Sequence, residues 1–309
     1  MNKPIPSSPV LLIDASIFIF RYYFSLPDRW FSDEDWPTAA VYGYTQFLLN
    51  LIEQEQPSLI AACYDESLDS CFRNTIYPDY KSSRALPDEA LAFQLAACKE
   101  VGELLGIASF ASETYEADDL LGSLLSALND DDQAIAVLTR DKDLGQLIER
   151  PQDFLWHPDF NATSDRRSQE LYRDDIANKF GVQPEQLIDY LALVGDSIDD
   201  IPGVPGIGAK TAAAMLAPYK NMIDLFTHID DLHTLPVRGA KNLADKLIEH
   251  TEQIALSREL ATIVRDIPLI ASRDDLRLQA PDFKALEKAY SRWGFSSAVI
   301  RCTEKVLAL

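Results

Sequence analysis

Aspartate closes three short apolar runs in this chain. Asp14 follows Val10–Ile13, Asp65 follows Ala61–Tyr64, and Asp141 lies two residues beyond Leu138. A further acidic segment, Glu116-Ala-Asp118-Asp119, opens a helical pattern; Asp141-Lys142-Asp143 adds a pair, and Asp196-Ser-Ile-Asp199-Asp200 a third cluster. Taken singly, a strand-end aspartate is a turn former or helix cap, and acids in a first helical turn answer the helix dipole. Three at one sheet edge carry more weight. Gathered without counterions, such carboxylates repel one another and some stay protonated. A hard divalent cation removes that conflict. The four histidines are scattered and no cysteines form a C-x-x-C pair, so oxygen-only ligation points to Mg²⁺ or Mn²⁺ rather than zinc. Two such ions about 4 Å apart activate a water and stabilise the leaving oxygen in phosphodiester hydrolysis.

Directly after the third acidic cluster comes Ile201-Pro-Gly203-Val204-Pro-Gly206-Ile207-Gly208-Ala-Lys210-Thr211, with a helical pattern at its end. Glycines let backbone turn tightly and approach a bulky ligand; amides at the following helix start face a phosphate, and Lys210 supplies charge. The alternative is a plain interhelical turn, and the spacing does not match a Walker A loop. Arg73, Lys81 and Arg84 lie among Tyr77, Pro78 and Tyr80, an interleaving of cations and aromatics suited to a nucleic-acid strand. Arg21, with Tyr22 and Tyr23, follows Asp14 and is expected at the same edge.

The elements that must position these groups are legible in outline. Val10–Ile13, Leu59–Tyr64, Ala134–Leu138 and, more weakly, Ile107–Phe110 read as strands buried on both faces. Thr38–Glu53, Asp88–Leu105 and Tyr115–Leu128 read as helices between them. This alternation predicts a doubly wound, mostly parallel sheet, whose ligands bind at the carboxyl ends of its strands. From about Leu171 the pattern is helical: Asp174–Phe180, Pro184–Val194, Lys210–Leu216, Leu243–His250 and Thr251–Val264. A boundary is therefore expected near 170, after the polar stretch 161–169.

The chain has 309 residues, 47% hydrophobic and 25% charged, about two domains of ordinary globular composition. No apolar run approaches the length of a membrane span, and the polar N-terminus reads as no secretory signal, so a cytoplasmic protein with reduced cysteines is expected. Net charge is −21, and 25 acidic against 10 basic residues fall in positions 1–150. That balance argues against a general basic nucleic-acid surface; it reads either as a solvated acidic surface that aids solubility or as carboxylates gathered at a cation site.

These residues resemble the 5′-nuclease (5′→3′ exonuclease and flap endonuclease) family, including the N-terminal domain of bacterial DNA polymerase I. Tyr115–Leu120 matches the family's E-A-D-D block, Thr139–Leu144 its T-G-D-K-D-L block with Arg140 for glycine, and Gly195–Gly203 its G-D-x-x-D-N-I-P-G block with Asp200 for asparagine. Val204–Thr211 matches the helix–three-turn–helix signature, and Tyr80-Lys81-x-x-Arg84 the basic part of a helical arch; Ala15 stands where glycine is usual. The resemblance implies a PIN-like (Rossmann-like) α/β nuclease domain over 1–170, with an arch at about 71–92. A helical DNA-binding domain over 171–309 would carry the helix–three-turn–helix at about 187–217.

It further implies two Mg²⁺ ions (Mn²⁺ substituting). Asp14, Asp65, Glu116 and Asp118 would hold the first and Asp141, Asp143 and Asp196 the second, with Asp119 and Asp199 acting largely through water. Lys81 and Arg84, with Arg21, would be the catalytic cations. Arg73, Tyr80, Gly203, Val204, Gly206, Ile207, Gly208, Lys210 and Thr211 would contact DNA, with K⁺ at the hairpin. The expected substrate is DNA with 5′ flaps, 5′ ends or nicks, cut by a free-standing monomer without a membrane partner. The rival expectations are a catalytically weak branched-DNA-binding protein and an RNA- or hybrid-directed nuclease.

Overall fold

The computed structural model describes residues 8–67, 70–129, 132–158 and 169–307. Most of the polar stretch expected to mark the boundary, 161–168, lies outside them.

Strands β1 (Val10–Asp14), β2 (Ile60–Asp65), β3 (Ala108–Ser112), β4 (Ile135–Leu138), β5 (Phe154–His157) and β6 (Gln169–Leu171) form one sheet in the order β3-β2-β1-β4-β5-β6. The first five run parallel and β6 is antiparallel to β5. Connections leave β1 for β2 on one side and return to β4 on the other, so the strand order reverses between β1 and β4. That is the crevice where a doubly wound sheet binds ligands.

On one face, Leu11, Ile13, Ile60 and Ala62 pack against α1 (Ala15–Ser25), α2 (Ala39–Glu55) and α4 (Glu89–Leu104). On the other, Val10, Leu12, Ala61, Cys63 and Val137 meet α5 (Ala117–Ala127), whose Leu120, Leu121, Leu124 and Leu125 form its buried stripe. Alternating strand residues thus serve both cores, and the strands read as continuous apolar runs.

A third cluster is built from α7 (Leu187–Val194), α8 (Ala209–Leu216), α9 (Met222–Thr227), α10 (Leu243–Glu249) and α11 (Thr251–Ala261), and includes Cys71 and Tyr80. α3 (Phe72–Ile76) precedes that Tyr80, and α6 (Arg173–Phe180) leads into the cluster. The last two helices, α12 (Phe283–Arg292) and α13 (Ser297–Leu307), pack elsewhere. Leu286, Ala289, Tyr290, Trp293, Val299 and Val306 join the α2–α4 core of the sheet. Chain order and packing therefore part company near the C-terminus. Among the described residues no helix is long and apolar enough to cross a membrane.

Candidate active site

Asp14 ends β1 and Thr139 follows β4, so parallel pairing of Ile13 with Leu138 sets them side by side across the crevice. The Thr139 hydroxyl donates to Asp14 Oδ2 at 2.8 Å and accepts from the Asp141 N–H at 2.9 Å. Asp141 Oδ1 in turn accepts from the Asp143 N–H at 2.8 Å. Asp65, at the end of β2, accepts from the Ser67 hydroxyl, and its own N–H donates to Ser16 Oγ. Sheet register and one threonine thus fix three strand-end carboxylates at one edge.

Their electrostatics are unfavourable without a cation. Burial, with Asp141 and Asp65 nearby, pushes the Asp14 carboxyl up to about 7 despite the Thr139 bond. Burial, then Asp141 and Asp196, pushes Asp143 up to about 8. Asp118 is raised well above the carboxylate range by burial and by Asp141 and Asp14, and Asp65 is raised by burial and Glu116. Asp143 Oδ1 is buried with no hydrogen-bond partner, a costly state for a carboxylate oxygen.

Several expected ligands already hold cations. Glu116, the N-cap of α5, accepts from Lys81 Nζ, from Arg73 at 2.9 Å and from the Tyr80 hydroxyl at 2.8 Å. Burial raises its carboxyl, but Lys81 and Arg73 outweigh that and hold it low. Asp199 pairs with Arg84 and, at 3.6 Å, with Lys81. Asp196 lies 3.6 Å from Lys142 Nζ and accepts from the Ile198 N–H. Residues 81–84 are clasped by the same cluster: the Lys81 N–H donates to the Asp199 carbonyl and the Ser83 N–H to Asp200.

Among the described residues no three His, Cys, Asp or Glu side chains close around an ion by themselves. The cleft among Glu116, Asp118, Asp141, Asp143 and Asp199 has a volume of about 30 Å³, room for a water or a bare ion. The raised carboxyls and the incomplete cage are compatible, because magnesium normally completes its shell with water and substrate phosphate.

Several expectations are corrected. Asp119 does not face the cleft: it is fully buried, takes a two-pronged bond from Arg73, and accepts from the Glu116 and Val264 N–H groups. Arg73 is equally removed from DNA, 3% exposed and also bonded to the Leu260 and Thr262 carbonyls. Tyr80 is buried with its hydroxyl on Glu116. Val204 and Ile207 are core residues of the helical cluster. Gly203 is there for packing: a Cβ would stand 2.1 Å from the Val194 carbonyl oxygen.

Residues 71–92, where an arch is expected, contain α3, a series of turns and the start of α4. Arg21 lies 6.0 Å from the Tyr22 ring and makes no ion pair among the described residues. Arg140 is exposed, and its field falls on His157. Gly206, Gly208 and Lys210 are exposed, with Thr211 behind them. Sequence reasoning passed over Thr139 and Lys142, although both lie inside a block it used.

A doubly wound sheet with a carboxylate-lined switch point, followed by a helix–hairpin–helix cluster, defines the PIN-like 5′-nuclease class. Residues 9–181 match the model for the 5′-3′ exonuclease N-terminal resolvase-like domain, and 182–284 that for the 5′-3′ exonuclease C-terminal SAM fold; the chain belongs to the 5′-3′ exonuclease family. It is 32% identical over 288 residues to a 5′-3′ exonuclease of Buchnera aphidicola, covering 93% of this chain and 97% of that one. It is 35% identical to DNA polymerase I of Pseudomonas aeruginosa over 94% of this chain, which spans 31% of that longer protein. The fold is shared with the T5 D15 protein co-crystallised with metal ions (TM-score 0.64, 18% identity, 97% and 98% covered). It is shared too with the catalytic core of Rad2 in complex with DNA substrate (TM-score 0.63, 15% identity, 99% and 94% covered).

Proposed function

We propose that this protein hydrolyses DNA phosphodiester bonds near 5′ ends and 5′ flaps with two divalent metal ions, acting as a cytoplasmic monomer. The observation that carries this reading is the set of Asp14, Asp118 and Asp143, each raised by desolvation and by Asp141 beside it, with an orphaned oxygen on Asp143. Asp14, Asp65, Glu116 and Asp118 would hold one ion, and Asp141, Asp143 and Asp196 the other. When bound, the ions supply charge that activates a water and steadies the leaving oxygen.

The chain's own residues do the rest. Thr139 orients Asp14 toward Asp141. Lys81, which holds Glu116 and Asp199 in this state, is within reach of a phosphate placed over the cleft. Arg84, 46% exposed, guides the strand carrying it. Gly206, Gly208 and Lys210 meet the duplex backbone, contacts that carry no base information and suit recognition of structure.

The test is a duplex with a labelled 5′ flap incubated in Mg²⁺ or with EDTA, its products resolved by length. Metal-dependent release near the junction is expected. Tight binding without cleavage in Mg²⁺ or Mn²⁺ at low salt would overturn the enzymatic reading, and preference for a matched RNA flap would overturn the choice of DNA.

A further inference from the structure

The hairpin between α7 and α8 is held from behind by α10 and α11. Ser257 Oγ donates to the Pro202 carbonyl at 2.6 Å, and Gln253 Nε2 to the Gly203 carbonyl at 2.7 Å. Lys246 Nζ donates to the Pro205 carbonyl at 2.9 Å. Within the loop, the Val204 carbonyl accepts from the Ile207 N–H, and the Gly208 carbonyl from the N–H groups of Thr211 and Ala212. A large monovalent ion needs several open oxygens converging from one side. Here five of the seven carbonyls from Pro202 to Gly208 already accept hydrogen bonds, one of them from an ammonium. All of these carbonyls except that of Gly208 keep a second lone pair, but the expected potassium ion using them would stand beside the Lys246 ammonium already at Pro205 and Gly206, and like charge opposes it.

Lys246 supplies what the ion would. Its ammonium lies so close to Gly206 that a Cβ there would stand 2.6 Å from Nζ. Pro205, Gly206 and Gly208 are exposed, and a Cβ on Gly208 would meet nothing within 4 Å. The α8 N-terminus has no side-chain cap, so its first amides face outward. Lys246 forms no ion pair among the described residues, in a chain of net charge −21. An ammonium has three N–H donors; the Pro205 carbonyl takes one and two remain.

We infer that the Lys246 ammonium is the resident cation of this hairpin: it fixes the Pro205 carbonyl and binds a backbone phosphate of duplex DNA together with the α8 amides, with no bound potassium. The inference rests on the nuclease reading above for its ligand, and on hydrogen bonding and like charge alone for the displaced ion.

Two measurements test it on the full chain. The first needs no variant and no DNA: melting of the wild-type protein in potassium chloride and in tetramethylammonium chloride at equal ionic strength. Identical curves are expected; a potassium-specific rise overturns the inference. The second is fluorescence anisotropy with a labelled flap duplex, divalent ions omitted, in the same two salts. Wild-type affinity is expected to agree within about twofold between them. K246M, checked for an unchanged circular dichroism spectrum, is expected to bind about tenfold more weakly, with a salt slope smaller by about one. A folded K246M with unchanged affinity and slope overturns the inference, as does wild-type binding several-fold tighter in potassium. If K246M does not fold, the wild-type salt comparison decides. If the wild type binds no DNA in either salt, the nuclease reading fails and the phosphate role with it, while the melting curves still decide the hairpin's cation.

Discussion

Arg73 and Asp119 meet through two parallel hydrogen bonds of 2.7 and 2.8 Å beneath the carboxylate cleft, one residue 3% exposed and the other fully buried. The same guanidinium holds Glu116 and two carbonyls at the end of α11 and beyond. It therefore ties the segment before the basic turn, the start of α5 and the helical cluster into one unit. Arg73→Ala strands a buried carboxylate, which costs about 3–5 kcal/mol. Urea unfolding should show that loss. Arg73→Lys keeps the charge without the fork and should fall between. If Arg73 contacted DNA instead, stability would hold and flap binding would weaken.

Asp143 gives a prediction in which stability and activity move oppositely. Its carboxyl is pushed up by burial and by Asp141 and Asp196, and its Oδ1 has no partner. Asp143→Asn removes the repulsion and replaces an oxygen with a donor that those neighbours can accept. The metal-free protein should melt at a higher temperature than wild type. Mg²⁺-dependent flap cleavage should fall at least about 100-fold, as expected when a group ordering a metal is lost. A variant that cut at the normal rate would remove Asp143 from the metal set.

The pH dependence follows from Asp14 and Asp143, raised to about 7 and about 8 from an ordinary value of 3.8. Folded, these groups hold protons that the unfolded chain has already released. Their contribution to metal-free stability is thus full below about pH 4 and lost as pH rises through about 7 to 8. Divalent ions must displace those protons and relieve the repulsion that follows their loss. The rise in melting temperature caused by Mg²⁺ should therefore be larger at pH 8.5 than at about pH 5.5, and calorimetry in buffers of different ionisation enthalpy should detect proton release. A Mg²⁺ effect equal at both pH values would mean that the carboxylates are already ionised.

The strand-end aspartates were legible because a buried parallel strand has a defined apolar run and its carboxyl end is where ligands bind. Strands β1 to β4 and helices α2, α4 and α5 were read to within two residues of their bounds, whereas the interior strand β5 was not read at all. α1 escaped because Ile17–Phe20 is apolar on every side, without helical periodicity, and β6 because three residues at a sheet edge leave no pattern. Helical spacing puts Glu116 and Asp119, three residues apart, on one face at the start of α5. What it could not supply was the direction of that face. Arg73, 46 residues before Asp119, claims both side chains and leaves Asp118 to the cleft. Residues 81–84 likewise depend on long-range pairs, Lys81 with Glu116 and Ser83 with Asp200.

The hairpin glycines separate packing from binding. At Gly203 a Cβ would stand 2.1 Å from the Val194 carbonyl oxygen and 2.8 Å from the Gly195 nitrogen, and backbone at the end of α7 cannot yield as a flexible side chain could. Gly203→Ala should destabilise the protein by about 3 kcal/mol, the upper range for overpacking. Gly208 has an ordinary φ of −102° and open space where the Cβ would go. Gly208→Ala should leave urea unfolding unchanged, yet the added methyl stands on the surface offered to phosphate, so flap affinity should fall several-fold. The two alanines thus exchange effects between an unfolding curve and a binding curve. If Gly208→Ala bound flap DNA as tightly as wild type, the duplex backbone would not approach the hairpin at that residue, and the phosphate contact would have to move toward Gly206 and Lys210.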